Sequence, residues 1–164
     1  GSVEVGHVRQ GTVKALQPLA LEQQVTLRCE AQDGKMRVRA DVDRLSQVLL
    51  NLGDNALKFT PPGGTVTVKA DVASPGFIRF SVTDTGPGVP EAEQQHIFDK
   101  FYQIPGQAQT GRRGAGLGLS IAKGIVEAHG GVMGIESRPG AGSTFWFTVP
   151  QAGKSEMENS EPGF

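Results

Sequence analysis

The distribution of glycine constrains the fold of this chain more than any other feature of its sequence. Eleven of the 23 glycines lie within the 37 residues from Gly106 to Gly142. Glycine tolerates positive φ and close approach to the backbone, so this segment is expected to leave backbone groups accessible to a ligand. The run Gly111–Ser120 leads into a segment with helical periodicity. Unpaired N–H groups at the start of a helix, together with the positive end of its dipole, suit phosphate.

The glycine-rich run differs from two common phosphate-binding loops. No Gly-Lys-Ser/Thr follows the glycines, so the run is not a Walker A loop. No strand leads into it, and Gly114–Gly118 has the spacing G-x-G-x-G, which differs from the dinucleotide fingerprint. A nucleotide site of another design remains.

Composition limits the class of protein. The 164 residues suffice for one domain of ordinary size. The 16 basic and 17 acidic residues nearly cancel, so the overall charge does not favour binding to nucleic acid or to an anionic membrane. The single cysteine, Cys29, excludes an internal disulfide framework and a cysteine-rich zinc site, and it fits a reducing, cytoplasmic compartment.

The composition of both ends of the chain indicates that they do not belong to the folded domain. Gly1 and Ser2 are typical of a remnant left by an expression tag. Residues 151–164 are rich in Gly, Ser, Glu and Pro, and we expect a disordered tail or linker there. No apolar run approaches the ~18 residues that span a bilayer, and no secretory signal opens the chain. We therefore expect one domain over residues 3–150.

Periodicity predicts the mixture of strands and helices that is typical of an α+β fold. Residues 25–30 and 36–40 alternate like strands around Asp33-Gly34, which is a hairpin signal. Either Asp41 or Asp43 is expected to cap a helix that ends near Phe59. Further helices are predicted at about 5–24 and 117–129, and further strands at 65–72, 77–83, 132–137 and 143–149.

The helix that ends near Phe59 carries a polar strip beside its apolar stripe. At 100° per residue from Leu45, the side chains of Asn51, Asn55 and Lys58 fall between about 220° and 280°. Two amides and an ammonium are thus stacked over two turns at the edge of the buried face. The strip is either a row that caps neighbouring loops or part of a binding site.

Asp84 is a carboxylate on the inward face of a predicted strand. Period-two alternation places it with Ile78, Phe80 and Val82, which are expected to be buried. A carboxylate on the core side needs hydrogen-bond donors, because burial without them is costly. Asp84 either caps its own turn or binds a ligand that approaches the glycines after it.

Four segments resemble, in order and spacing, the N, G1, F and G2 boxes of the catalytic, ATP-binding domain of sensor histidine kinases. They are Asn51–Pro61, Asp84–Pro90, Ile97–Gln103 and Gly114–Ile121. The resemblance covers about residues 3–150. It implies a Bergerat ATP-binding fold, which is a two-layer α/β sandwich with a mixed sheet of about five strands and about three helices. Residues 102–115 would form a mobile ATP lid.

The resemblance implies ATP and Mg²⁺ as cofactors and places the phosphates on the polar strip. Asn55 would coordinate the Mg²⁺, while Asn51 and Lys58 would reach phosphate oxygens, and these three residues form the expected catalytic group. The lid and the G2 box would supply further contacts from Arg112, Arg113, Gly114, Gly116, Leu117, Gly118 and Leu119.

The resemblance places adenine at the other end of the site. Asp84 would accept the adenine amino group, and Phe59 would lie against the ring. The remaining contacts would come from Gly86 and Gly88, which let the backbone pass close to the base, from Phe101 and Tyr102 of the F box, and from the Ser143 hydroxyl.

The implied reaction is phosphoryl transfer from ATP to a histidine on a separate dimerisation domain. His7, His96 and His129 do not stand in the family's acceptor pattern, His-Glu/Asp-x-x-x-Pro. The chain is therefore expected to bind ATP without its own acceptor. Its expected partners are the dimerisation domain of the same parent kinase and a response regulator receiver domain, with no nucleic acid and no direct membrane contact. We expect a monomeric fragment of a homodimeric parent.

Three residues depart from the family's boxes, and other functions of the same superfamily compete. Gly53, Gln103 and Ala115 stand where a large aliphatic, an Arg and a Thr are usual. The main alternative is an ATPase, but Asn51 occupies the position of that group's glutamate base, and an amide cannot take a proton from water. A Ser/Thr-type protein kinase and a pseudo-kinase that binds ATP without chemistry are the remaining alternatives.

Overall fold

A five-stranded mixed sheet organises the fold. The computed structural model describes residues 2–30, 36–99 and 115–152. The sheet has the order β2-β4-β5-β7-β6, formed by Thr26–Glu30, Thr65–Ser74, Phe77–Asp84, Ser143–Pro150 and Met133–Ser137, respectively. The β2–β4 pair is parallel and the other three pairs are antiparallel. With helices over one face, this is the predicted α+β sandwich with its mixed sheet of five strands.

The predicted hairpin around Asp33-Gly34 is wrong. β2 pairs in parallel with β4, and β3 (Arg37–Arg39) instead pairs antiparallel with β1 (Ser2–Glu4) in a separate two-stranded sheet. The turn residues lie outside the described residues. An alternating pattern identifies a strand but not its partner, since the partner is chosen by packing against distant segments.

Three long helices cover one face of the five-stranded sheet. They are α1 (Val5–Gln23), α2 (Val42–Phe59) and α4 (Ala115–Ala128), and a short helix, α3 (Glu91–Gln94), precedes the F box. α2 packs against both α1 and α4 and faces β4 and β5. The predicted apolar stripe of α2 is buried at Leu45, Val48, Leu49, Leu52 and Ala56. The inward residues of β5, which are Ile78, Phe80 and Val82, are fully buried beneath the helices.

Hydrogen bonds at the start of α2 fix its position. The Asp41 carboxylate accepts from the N–H groups of Asp43 and Arg44, at 2.9 and 3.2 Å, so Asp41 is the cap. The Asp41 N–H donates to Nε2 of His129, at 3.2 Å, beyond the end of α4. Nδ1 of the same ring lies 2.8 Å from the Ile125 carbonyl oxygen. The end of α4 is thereby tied to the beginning of α2.

The opposite face of the five-stranded sheet carries a tryptophan stack. The Arg79 guanidinium lies 4.3 Å from the centre of the Trp146 ring and also pairs with Glu136, at 3.1 Å. The indole lies directly over Gly134, where any side chain would collide with it. Within the described residues, no helix is long and apolar enough to cross a membrane.

Candidate nucleotide-binding site

The polar strip of α2 lies where the sequence predicts it. Asn51, Asn55 and Lys58 are all half-buried at the edge of the apolar stripe. The Asn51 amide donates to the Gly118 carbonyl oxygen in the first turn of α4, at 3.2 Å. The Lys58 ammonium pairs with Asp54, at 3.1 Å, and its side chain is 11% exposed.

Asn55 differs from its two neighbours on the strip. Within residues 2–30, 36–99 and 115–152, its amide makes no hydrogen bond. The same part of the chain contains no group of three His, Cys, Asp or Glu side chains that would hold a metal ion. A half-buried amide oxygen fits an ion such as Mg²⁺, which takes few protein ligands and completes its shell with phosphate and water.

Asp84 lies on the inward face of the sheet, as alternation predicts, and is 7% exposed. One carboxylate oxygen accepts from the Gly86 N–H, at 2.9 Å. Burial raises the pKa of Asp84 above its ordinary value. Hydrogen bonds from the backbone N–H groups of Gly86 and Ser143 lower the pKa, but by less than burial raises it. The carboxylate therefore caps its own turn and still remains a buried acceptor at the end of β5.

The two glycines after Asp84 have reasons within the protein for being glycine. A Cβ at Gly86 would lie 2.8 Å from the Phe59 carbonyl oxygen, at the last residue of α2. Gly88 has φ +79°, and a Cβ there would collide with the Arg138 carbonyl. Gly86 thus joins the Asp84 turn to the end of α2, which brings Asp84 close to Phe59, the other residue predicted to contact adenine. The contact of these glycines with a base stays a prediction.

A row of polar side chains crosses three strands at the level of Asp84. Asp84 pairs with Ser143, which pairs with Ser137 of β6. Ser143 is 6% exposed, and its hydroxyl lies 2.8 Å from that of Ser137. Sequence reasoning missed Ser137, because its place in the row depends on the register of β6 against β7.

The end of the sheet that carries this row is open. A depression of about 530 Å³ there is lined by Asp84, Ser137, Gly142 and Ser143, and also by Thr83 and Thr144 of the opposite face. Gln94 of α3 forms part of its wall and donates to the carbonyl oxygens of Val89 and Ser137, at 2.9 and 3.2 Å. The polar row therefore borders open space at the strand ends.

The G2 glycines lie partly inside α4. This helix begins at Ala115, two residues before the predicted start, so Gly116, Leu117 and Gly118 belong to its first turn. The first four N–H groups of a helix have no partner within it, which leaves donors at this end. Leu119 is buried and anchors the turn.

The remaining predicted residues lie outside the described part of the chain. They are Phe101, Tyr102, Arg112, Arg113 and Gly114, together with most of the predicted lid. The F box is described up to Asp99. Its Phe98 ring meets Phe145 edge to face, at 6.3 Å, and the Lys123 ammonium lies 5.6 Å from the same ring. The start of the F box is therefore attached to both β7 and α4.

Comparison with known proteins gives matches along most of the chain. The profile of the family described as histidine kinase-, DNA gyrase B-, and HSP90-like ATPase matches residues 40–153. The adaptive-response sensory kinase SasA of Prochlorococcus marinus (strain MIT 9313) is 37% identical over 149 residues, which are 91% of this chain and 40% of SasA. The chain thus spans less than half the length of this relative.

Solved structures give the same result for the fold. Full-length ShkA in complex with AMPPNP matches with a TM-score of 0.82 and 35% identity, over 93% of this chain and 31% of ShkA. Histidine kinase ThkA in complex with the response regulator protein TrrA matches with a TM-score of 0.76 and 27% identity. That match covers 93% of this chain and 42% of ThkA.

Proposed function

Because the chain belongs to the family of histidine kinase-, DNA gyrase B- and HSP90-like ATPases, which are ATP-binding domains, we propose that it is the catalytic domain of a two-component sensor histidine kinase. It binds ATP and transfers the γ-phosphoryl group to a histidine on a dimerisation domain of its parent protein. The transfer takes place in the cytoplasm, where ATP is available, whether or not the parent is anchored in a membrane.

The buried carboxylate of Asp84 is the observation that carries this proposal. An acceptor that is 7% exposed is held at a strand end with only part of its capacity used by the N–H groups of Gly86 and Ser143. An adenine amino group supplies the missing donor without requiring the carboxylate to return to water. The complex of ShkA with AMPPNP, an analogue of ATP, supports a nucleotide of this class.

The polar strip of α2 forms the phosphate end in this proposal. Asn55 holds Mg²⁺ against the phosphates, and the metal neutralises charge that develops during transfer. Asn51 and Lys58 exchange their contacts with Gly118 and Asp54 for phosphate oxygens. The N–H groups of the first turn of α4, with Arg112 and Arg113 of the predicted lid, complete the anion site.

Phosphoryl transfer requires positioning and charge neutralisation more than covalent participation by the protein. Asn51 stands at the position of the glutamate base that hydrolytic members of the superfamily use, and an amide accepts no proton from water. This favours transfer over ATP hydrolysis. The matched complex of ThkA with TrrA supports a response regulator as a further partner of the parent kinase.

Titration with a fluorescent ATP analogue tests the binding step. We expect Mg²⁺-dependent affinity in the micromolar range for the wild-type chain and loss of saturable binding in Asp84→Asn, because the amide places a donor where the base donates. Thr67→Val is the control: Thr67 lies opposite Thr83 on β4 and does not line the depression. Equal binding by wild type and Asp84→Asn, or no binding by the wild type, would contradict the proposal.

A further inference from the structure

Ser137 occupies the end of the polar row that begins with Asp84. The register places Asp84 opposite Ser143 on β7, and Ser143 opposite Ser137 on β6. All three side chains lie at the same end of the sheet, and the hydroxyls of the two serines are 2.8 Å apart. Among the described residues, Ser137 is the hydrogen-bond partner that orients the Ser143 hydroxyl.

The hydrogen bonds of Ser137 use its whole capacity. Its Oγ accepts from the Val89 N–H, at 2.6 Å, and donates to the Gly142 carbonyl oxygen, at 3.1 Å. A hydroxyl has one proton and two lone pairs, so one lone pair is left for Ser143. Within the part of the chain that the structure describes, the Gly142 carbonyl otherwise receives only the long contact from the Arg138 N–H, at 3.4 Å, and so needs the Ser137 proton. All contacts are satisfied together when Ser143 donates to Ser137.

We propose that Ser137 is a positioning residue that fixes the Ser143 hydroxyl as a donor to Ser137 and so makes the base-binding edge of the site accept hydrogen bonds only. This inference rests on the proposed function of the chain. With its proton committed, Ser143 presents only lone pairs beside the Asp84 carboxylate. Ser137 thereby increases the selectivity of the site for the base without contacting the base.

An edge composed only of acceptors selects the 6-amino group of adenine. A purine with oxygen at position 6 places that acceptor oxygen against the Asp84 carboxylate and the Ser143 oxygen, which are also acceptors. These buried groups are then left without hydrogen bonds. When Ser137 is removed, the Ser143 hydroxyl is free to rotate and donate to that oxygen. The expected loss is therefore one of discrimination between bases, beyond any general loss of affinity.

Competition between ATP and inosine triphosphate measures this discrimination. Inosine carries an oxygen in place of the 6-amino group and a proton on N1, and the N1 difference is the same for every variant, so a change in the ratio between variants reports on the contact at position 6. The measured quantity is the ratio of the Kd for inosine triphosphate to the Kd for ATP, obtained for the whole chain with Mg²⁺. We expect a ratio well above one for the wild type and a fall of about three- to tenfold in Ser137→Ala, the range that one net hydrogen bond provides. Thr67→Val, on the outer face of β4 and away from the depression, should leave the ratio unchanged.

The double variant separates positioning from structural support. In a Ser143→Ala background, Ser137→Ala should leave the ratio unchanged, since the hydroxyl that it orients is absent. Ser137→Cys keeps the size of the side chain but offers a poor acceptor, so a fall in the ratio is expected for this variant too. It provides the same test if Ser137→Ala fails to fold.

Two results would overturn the role of Ser137. One is an equal loss of affinity for both nucleotides in Ser137→Ala and Ser137→Cys, which indicates only a looser loop at Val89. The other is the same change of ratio with and without the Ser143 hydroxyl. Absence of binding of either nucleotide by the wild-type chain is a different result, because it overturns the proposed function and this inference with it.

Discussion

Asp84 couples the folding of this domain to pH, because its carboxylate is ionised in a place from which water is largely excluded. Burial is the main cause of its raised pKa, and the N–H groups of Gly86 and Ser143 offset only part of it. The unfolded chain therefore releases the Asp84 proton at a lower pH than the folded domain does. An ionised Asp84 accordingly destabilises the fold.

We expect the stability of Asp84→Asn relative to the wild type to depend on pH. Below the ordinary pKa of 3.8 the carboxylate is protonated in both states and its burial carries no ionisation penalty. The penalty grows as pH rises from there through the raised pKa, and it stays constant above that value. The advantage of the variant should grow over the same window. Denaturant unfolding of both proteins between pH 3.5 and 8 measures it, and a difference that is independent of pH would contradict the assignment.

The residues of the site were not equally accessible to sequence reasoning. Period-two alternation suffices to place Asp84 inward, and helical periodicity suffices to place Asn51, Asn55 and Lys58 on one edge. Ser137 escapes such reasoning, because a serine at a strand end acquires its partners from Val89, which is distant in sequence, and from Gly142 and Ser143 across the β6–β7 pair. Hydrogen-bond networks between strands need the register first.

At the scale of elements, Gly53 shows why one residue of the N box departs from the usual pattern. Gly53 lies in the middle of α2, where glycine weakens a helix by about 1 kcal/mol relative to alanine. A Cβ at this position would collide with the Leu16 side chain of α1. Leu16 is itself buried, so it fills the space that a larger side chain on α2 would need.

The contact predicts coupled effects on stability. Gly53→Ala should destabilise the domain by about 1 kcal/mol, since overpacking costs about 1–3 kcal/mol and the gain in helix propensity recovers part of it. In a Leu16→Ala background, the same substitution should stabilise by up to about 1 kcal/mol, because the space is free. Denaturant unfolding of the four proteins measures the coupling, and additive effects would show that α1 and α2 do not compete for this volume.

The elements differ in how well their sequence determines them. α2 was predictable because its cap, its periodicity and its Pro-Pro-Gly-Gly end agree. The pairing of β2 with β4 was not, because a local Asp-Gly signal favours a hairpin while the parallel neighbour lies more than thirty residues away in sequence. The short β1 carries too few residues for any periodicity, although it pairs with β3.

At the scale of the whole molecule, the described structure extends beyond the matched family profile on its N-terminal side. The profile begins at residue 40, yet α1 precedes it and buries Val5, Val8, Leu16 and Ala20. At the other end, Gln151 bridges to Val38, and Ala152 is buried. Described residues from Val5 to Val149 thus share one hydrophobic core, while the boundary predicted at residue 150 and the tail beyond it stay predictions.

The linkage of the transferred phosphate distinguishes the functions that this fold can serve. With labelled ATP and a purified dimerisation domain that bears the acceptor histidine, we expect label on protein that is lost in acid and retained in base. The acceptor His→Gln variant of that domain and the Asp84→Asn variant of this chain should both abolish it. Acid-stable label would indicate transfer to Ser or Thr, and release of free phosphate without labelled protein would indicate an ATPase.

The tryptophan stack on the open face of the sheet gives the domain an optical reporter that is separate from its ligand site. Trp146 is the single tryptophan of the chain, and it lies beneath Arg79 on the face opposite Asp84 and Ser143. Its indole N–H is buried and makes no hydrogen bond within the described residues, so unfolding exposes it to water. We expect the emission to shift to longer wavelength on unfolding and to change little when nucleotide binds. Tryptophan emission then reports unfolding of the domain independently of nucleotide binding.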